Sequence, residues 1–201
     1  MTTMQHLFLA ASSLGLIACA TGPSLRDVEH LRQPHVVDKA AIQVIQLEAT
    51  GNPNKTANEA FHTLFDAYYG LGGVAKGKPM APLARWPKPL ETPMDQWVGI
   101  FAVPTGGNLA ALPEALRTKY PNVVLTDWTY GQTAEILHVG PYEKEAPTVA
   151  QLKAFLDENG FQVAGAHEEE YVKGPGMFGP RNPQDYLTII RYPVQKKLPS
   201  E

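Results

Sequence analysis

Cysteine is almost missing from this chain: Cys19 is the only one among 201 residues. A chain with a single cysteine forms no internal disulfide, so its fold must be held by its apolar core even in an oxidising compartment. Blocks of lysine and arginine are missing as well, and the formal net charge is -3. Because nucleic-acid binding depends on clustered positive charge, we expect no nucleic-acid partner.

The short motifs of common catalytic and metal sites are also missing. The chain has no H-E-x-x-H, no paired cysteines, no G-x-S-x-G and no phosphate-binding glycine loop. Its six histidines are scattered without the spacing of metal ligands. The sequence therefore predicts no cofactor, no metal site and no catalytic residue, and it leaves open whether the protein is an enzyme.

Charged residues are absent from the first eighteen positions. The apolar run from Leu7 to Ala18 is shorter than the roughly 20 residues that a membrane-spanning helix needs, and it has the length of a secretory h-region. It ends in the sequence LIAC, with Cys19 last. These four residues resemble a bacterial lipobox, in which the cysteine is lipidated and becomes the new N-terminus. Residues 1–18 are thus predicted to be a signal peptide and residues 19–34 a lipidated tether.

The same segment predicts where the protein works. Acylation of Cys19 by two or more chains would bind the protein stably to a lipid bilayer, in the bacterial cell envelope and facing the periplasm. Plain secretion, a non-cleaved anchor and an ordinary buried N-terminal element are the alternatives. The observation against a signal peptide is that residues 1–6 contain no lysine or arginine.

The rest of the chain contains an internal repeat, which begins with two amphipathic helices. Thr56-x-x-Glu59 reads as a capping box, and apolar residues follow it at helical spacing up to Gly70. Thr148-x-x-Gln151 reads as a second capping box. The sequence therefore predicts one helix after each of these boxes.

The strands of the repeat are predicted around these helices. A β-rich stretch precedes each helix, and two strands follow it, the second ending in proline. Two strand–helix–strand–strand units most simply share one antiparallel sheet with both helices on one face, which is an α+β fold. The predicted domain covers residues 35–195, with repeats at 35–104 and 121–195, a linker at 105–120 that contains a short helix from Pro113 to Tyr120, and a tail at 196–201.

One turn of the second repeat carries a resemblance to a known family. The residues Leu137 to Tyr142, LHVGPY, look like the H-x-G-P-Y turn of the GyrI-like effector-binding domains. The later LDENGF stretch, the Glu170-Tyr171 strand and the closing IRYPV follow in that family's order. The resemblance covers roughly residues 36–194. It implies a pseudo-twofold fold with a groove between the halves, in which small apolar, often cationic, molecules bind.

The resemblance also suggests which side chains line the groove. Aromatic faces bind flat or cationic ligands, and a carboxylate beside them favours a cation. The inward-facing glutamate that this family commonly carries on the last strand is replaced here by Ile189, which weakens the transfer of both cation binding and hydrolysis from the family. A hydrolase would need another base, such as Glu170 or Glu135. The predicted ligand-binding residues are Trp97, Trp128, Glu170, Tyr171, Phe178 and Tyr186.

Three functions remain open at this point. The leading one is an envelope-anchored protein that binds a small, mainly apolar or aromatic molecule as a carrier, scavenger or sensor. The second is a hydrolase of a small reactive molecule in the same groove. The third is a module that docks a protein partner in the envelope.

Overall fold

The computed structural model describes residues 25–71, 81–89, 91–175 and 182–198. Cys19 with its lipobox, and Phe178 in the glycine-rich loop, lie outside these residues. Lipidation and the role of Phe178 therefore stay predictions.

The described residues form one antiparallel sheet with helices. The strands are β1 His35–Lys39, β2 Ile42–Thr50, β3 Leu83–Trp86, β4 Val98–Pro104, β5 Val124–Trp128, β6 Gly131–Val139, β7 Phe161–Val163, β8 His167–Lys173 and β9 Leu187–Lys196. The helices are α1 Leu25–Val28, α2 Pro53–Gly70, α3 Glu114–Lys119 and α4 Ala146–Glu158.

The strand order reflects the duplication predicted from the sequence. It runs β1-β6-β9-β8-β3-β4-β2-β5, with β7 paired to β9, and every pairing is antiparallel. The last two strands of each repeat, β3 with β4 and β8 with β9, take equivalent places on either side of the β3–β8 junction. The first strand of each repeat pairs with a strand of the other repeat, because β1 pairs with β6 and β5 pairs with β2. The α+β fold with two repeats in one antiparallel sheet is thus confirmed.

Both long helices lie on one face of this sheet, as predicted. Ala84, Glu169 and Ile190 form a row of cross-strand partners and so point to the same side. Ala84 packs in the cluster that α2 covers, and Ile190 packs in the cluster that α4 covers. This side is called the helix face below.

The starts of both long helices differ from the sequence prediction. Helix α2 begins at Pro53, and the Asn52 side chain accepts a hydrogen bond from the backbone N–H of Asn54 at 3.0 Å. Helix α4 begins at Ala146, and Thr148 lies inside it. Both capping-box assignments were therefore wrong. A proline near the first helical position is already set in helical geometry, which moves each start about one turn earlier.

The opposite face of the sheet is covered in part by the N-terminal segment. Val28 and Leu31 pack on Leu137, Leu187 and Ile189. This contact holds residues 25–32 against the side that the long helices leave open.

Within the described ranges, no helix is both long enough and apolar enough to cross a membrane.

Candidate functional site

The centre of the sheet carries three consecutive glutamates, which the strand divides between two faces. Side chains of a strand alternate between faces, so Glu168 and Glu170 point one way and Glu169 the other. Arg191 confirms this division, because its guanidinium contacts Glu168 at 3.5 Å and Glu170 at 2.6 Å. Glu169 instead lies on the helix face with its strand neighbours two residues away, His167 and Tyr171.

On the helix face, Glu169 belongs to a compact group with Glu145 and His167. One carboxylate oxygen or ring nitrogen of each residue lies within 4.8 Å of the others. The His167 Nε2 atom is 3.0 Å from Glu169 Oε1, and its Nδ1 atom is 2.9 Å from the Tyr192 hydroxyl. These three residues are called the Glu–His–Glu cluster.

A tight turn brings Glu145 over the sheet. Gly140 adopts a φ of 131°, which side-chain-bearing residues rarely adopt, and its N–H donates to the Tyr186 carbonyl at 3.0 Å. His138 ties the turn together through Nε2, 3.1 Å from the Pro141 carbonyl oxygen. A short 3-10 turn follows and ends at Glu145, directly before α4. The H-x-G-P-Y turn thus positions both Glu145 and Tyr142.

Aromatic rings lie beside the cluster in a continuous row. Phe61 of α2 contacts Tyr171, with 5.6 Å between ring centroids, and Tyr171 contacts Tyr142 at 5.5 Å. Tyr142 in turn contacts Tyr186 at 5.2 Å. These four residues are called the aromatic row. Because they come from α2, β8, the turn before α4 and the start of β9, the row joins the two repeats.

The electrostatics of the cluster are unusual for buried acids. Burial, and then the charge of Glu169, raise the pKa of Glu145 to about 9. Burial, and then the charge of Glu169, raise the pKa of Tyr171, whose hydroxyl lies within hydrogen-bonding reach of that carboxylate. In the part of the chain that the structure describes, neither Glu145 nor Glu169 forms an ion pair with a lysine or arginine. The described residues therefore place no lysine or arginine against the carboxyl groups of the cluster.

Unpartnered polar atoms concentrate on the same face. Across the described residues, three buried side-chain atoms lack a hydrogen-bond partner: Trp86 Nε1, Glu145 Oε1 and Thr188 Oγ1. Trp86 pairs with His167 across the strands, and Thr188 pairs with Tyr171. Since buried polar groups are nearly always satisfied in folded proteins, their concentration here is typical of a surface that contacts a ligand.

The other face of the central strands has the opposite character. Arg191 Nε donates to Glu135 at 2.8 Å, and Arg85 Nε donates to Glu168 at 2.8 Å. The Arg85 guanidinium also lies 3.9 Å from the Trp128 ring centroid. This side is called the arginine face, and its acids are compensated within the protein.

The structure divides the predicted ligand-binding residues between these faces. Tyr171 and Tyr186 both belong to the aromatic row. Trp97 lies on the helix face against Trp86, at 5.2 Å, and donates its indole N–H to the Thr92 carbonyl. Glu170 and Trp128 lie on the arginine face, so they are not brought together with Tyr171.

Five residues of the site were not predicted from the sequence: Phe61, Tyr142, Glu145, His167 and Glu169. Glu168 and Glu169, the strand neighbours of the predicted Glu170, are buried, with only 2% and 8% of their surface exposed. The alternation of strand residues identifies Glu169 and His167 as facing the same way as Tyr171, and this signal was available. The signal for Tyr142 was its place in the H-x-G-P-Y turn. Nothing local in the sequence places Glu145 over β8.

Two surface depressions lie elsewhere, one between the first repeat and the linker and one between the linker and the start of the second repeat. One of about 370 Å³ includes Gln43 and Asn108, and one of about 400 Å³ includes Leu112 and Arg117. Neither is lined by a member of the Glu–His–Glu cluster or the aromatic row.

Comparison with known proteins bears on the fold. No protein-family model matches the chain, and no curated protein matches it significantly. Solved structures do match. An uncharacterized conserved protein from Listeria innocua has a TM-score of 0.67 at 20% identity, over 82% of this chain and 93% of its own. A hydrolase from Listeria innocua has a TM-score of 0.66 at 20% identity, over 86% of this chain and 99% of its own.

A third similar structure is EcmrR in a complex with DNA, with a TM-score of 0.64 at 13% identity, over 87% of this chain and 62% of its own. Identities this low establish likeness of fold alone. The fold neighbours include GyrI-like effector-binding folds, which agrees with the resemblance of the H-x-G-P-Y turn. The chain is thus an α+β protein whose antiparallel sheet is consistent with the GyrI-like fold.

Proposed function

We propose that the protein binds a small, mainly aromatic molecule with a positive charge, on the helix face between its two repeats. The observation that carries this proposal is the buried Glu169 carboxylate, which faces no lysine or arginine among the described residues and lies beside the aromatic row. A carrier, a scavenger and a sensor would all use such a site.

The physical argument rests on the cost of burying charge. A carboxylate removed from water is destabilising unless a cation or several hydrogen bonds compensate it. Glu169 has His167 as its hydrogen-bonding partner and lies beside Tyr171, and among the described residues no guanidinium pairs with it as Arg191 pairs with the acids of the other face. An organic cation would supply the missing charge, while ring faces would contact its apolar part.

Ligand entry requires the aromatic row to open. Its rings contact one another at 5.2 to 5.6 Å and fill the space between the repeats. Tyr142 is the ring carried by the turn before α4, and it is only partly buried. We expect Tyr142 to turn away when a ligand enters, which would expose the Tyr171 face.

Two ions of matched size test the proposal. Tetraphenylphosphonium and tetraphenylborate have nearly the same shape and opposite charge, so calorimetry of each with the protein in a metal chelator separates charge from apolar contact. We expect the cation to bind and the anion to bind at least about tenfold more weakly, a difference of about 1.4 kcal/mol. Equal affinities would contradict the proposal.

Two isosteric variants locate the site. Glu169→Gln should weaken cation binding at least about tenfold, because it removes a charge worth on the order of 1.5–3 kcal/mol in a hydrogen-bonded pair. Glu168→Gln is the matched control on the arginine face and should leave affinity unchanged in protein that remains folded. If Glu168→Gln weakens binding and Glu169→Gln does not, the ligand lies on the other face.

We also propose that Cys19 anchors the protein in the bacterial envelope, supported by the apolar run and the LIAC sequence that precede the domain. Expression with labelled fatty acid, followed by membrane fractionation, tests this. Wild-type protein should carry label and sediment with membranes, and Cys19→Ser should do neither. Label retained in the Cys19→Ser protein would contradict the anchor.

A hydrolase in the same groove is the second candidate. The observation that favours it is the pairing of Glu145, whose raised pKa of about 9 keeps it protonated near neutral pH, with Glu169 in one cluster. Such a pair combines a proton donor with a base. Mass spectrometry of candidate compounds after incubation distinguishes the two functions, because binding returns the compound intact and hydrolysis does not.

A further inference from the structure

We propose that Glu145, His167 and Glu169 form a binding site for one divalent transition-metal ion of the Zn²⁺ class. This inference goes beyond the proposed function, because it concerns the cluster itself and needs no organic ligand. It also differs from the expectation drawn from sequence spacing, which indicated no metal site.

The donor set fits such an ion. Two carboxylates and one imidazole are ligands that zinc and its neighbours accept, with three protein ligands and an open position for water or substrate. Their ligand atoms lie within 4.8 Å of one another. Tetrahedral zinc with bonds of about 2.0–2.2 Å places its ligands about 3.3–3.6 Å apart. The cluster would therefore close by about an ångström through side-chain rotation.

The partners of the ligands fit as well. A metal-binding histidine usually forms a hydrogen bond through its second ring nitrogen, which fixes the ring and directs the first nitrogen at the metal. His167 Nδ1 lies 2.9 Å from the Tyr192 hydroxyl, and this leaves Nε2 facing Glu169 at 3.0 Å.

An independent observation points to an ion. The Glu145 Oε1 atom is buried and has no hydrogen-bond donor among the described residues. On the arginine face of the same strands, by contrast, Glu135, Glu168 and Glu170 each contact Arg191. Arg191 thus pairs with the acids of the arginine face, whereas on the helix face a buried oxygen of Glu145 has no partner among the described residues.

The three ligands come from two elements that the fold holds together. His167 and Glu169 are two residues apart on β8 and so share a face. Glu145 is the residue directly before α4, and the turn at Gly140 places it next to these two ligands. Strand residues give rigid ligands, and the turn gives the third ligand the freedom to close on the ion.

Titration of chelator-treated protein with Zn²⁺ by calorimetry, and with Co²⁺ by visible absorption, tests the site. We expect one ion per chain, and a Co²⁺ spectrum of low-symmetry coordination. Glu145→Gln and His167→Gln should each weaken binding by more than the about 10–100-fold expected for Tyr192→Phe, which removes only the supporting hydroxyl. Thermal melting confirms that each variant is folded.

A surface pair provides the matched control. His62 and Asp66 lie one helical turn apart on α2, exposed, with 3.7 Å between Nδ1 and a carboxylate oxygen. His62→Gln should leave Zn²⁺ affinity unchanged. Binding lost in His62→Gln but retained in Glu145→Gln and His167→Gln would overturn the proposal, and so would wild-type protein that binds no ion.

The same protein separates this site from the organic-cation site. Because both need Glu169, Zn²⁺ and tetraphenylphosphonium should compete. Zn²⁺ binding without any tetraphenylphosphonium binding would support the metal site and contradict the proposed function. Tetraphenylphosphonium binding in chelator, with no Zn²⁺ binding by the same protein, would overturn the metal site alone.

Discussion

The two faces of strand β8 treat the same residue type in opposite ways. Glu168 and Glu170 contact the Arg191 guanidinium on one face, whereas Glu169 between them, among the described residues, hydrogen-bonds to His167 on the other and pairs with no lysine or arginine. Burial does not explain the difference, because Glu168 and Glu169 are 2% and 8% exposed. The acids of the arginine face are compensated by Arg191 within the fold, and the lack of such a partner for Glu169 is what supports an external cation there.

The contrast extends to the pKa values of the two faces. Burial alone would raise the pKa of Glu135, but the hydrogen bond and charge of Arg191 outweigh burial and lower it. On the helix face, burial and the charge of Glu169 raise the pKa of Glu145 to about 9. Low pH should therefore destabilise the protein through the arginine face, and high pH should destabilise it through the helix face.

The largest expected effect comes from removing the shared cation of the arginine face. Arg191→Met leaves three carboxylates near one another without their guanidinium, and breaking a buried ion pair from one side costs about 3–5 kcal/mol. Urea unfolding measures this loss. Arg117→Met, at an exposed position on α3, is the control and should stay within about 0.5 kcal/mol of wild type. A small loss in Arg191→Met would show that the arginine face is not structural.

The next effect is the pH dependence of stability on each face. Glu135 has a lowered pKa in the folded state, so its contribution is present above the unfolded pKa and is lost as pH falls through the folded value. Glu145 has a raised pKa, so the folded state holds a proton that the unfolded state releases above 4.5. The free energy of unfolding therefore declines as pH rises from 4.5 toward about 9, with a slope of at most about 1.4 kcal/mol per pH unit.

Two glutamine variants separate these contributions, measured by urea unfolding in chelator across the pH range. Glu145→Gln should remove the decline above pH 4.5 and raise stability at neutral pH. Glu135→Gln should instead lower stability at neutral pH and remove part of the acid loss. Identical pH profiles in the two variants would contradict the contrast between the faces.

The repeat and the sheet could be predicted because their signals are local. The β-rich stretches on either side of each helix indicate the strands without knowledge of the fold, and Pro104 ends β4 as predicted. The second predicted strand end was wrong, because β9 continues past Pro193 to Lys196. The predicted helix starts were wrong for a local reason too. The Asn52-Pro53 pair and Pro147 are stronger start signals than Thr56 and Thr148.

The site could be predicted only in part. Placing Tyr171 in the groove implies Glu169 in place of Glu170, since strand residues two apart share a face. The three adjacent glutamates carry no pattern of their own, so this choice depends on Tyr171 alone. Glu145 lies 22 residues before His167 in the chain, and its approach depends on how the Gly140 turn crosses the sheet. That long-range geometry has no signature in the sequence.

The smallest expected effect comes from a comparison of two tyrosines, each of which places its hydroxyl beside a glutamate, one on each face of the sheet. The Tyr130 hydroxyl donates to Glu168 at 3.2 Å on the arginine face, and the Tyr171 hydroxyl lies within reach of Glu169 on the helix face. Removing the Tyr130 hydroxyl with phenylalanine removes one hydrogen bond, worth about 0.5–1.5 kcal/mol. Tyr130→Phe should cost this in urea unfolding and leave tetraphenylphosphonium affinity unchanged. Tyr171→Phe should change that affinity severalfold, because it removes the hydroxyl that lies beside the Glu169 carboxylate. If both variants alter stability alone, Glu169 is a structural acid like its neighbours, and the distinction between the faces fails.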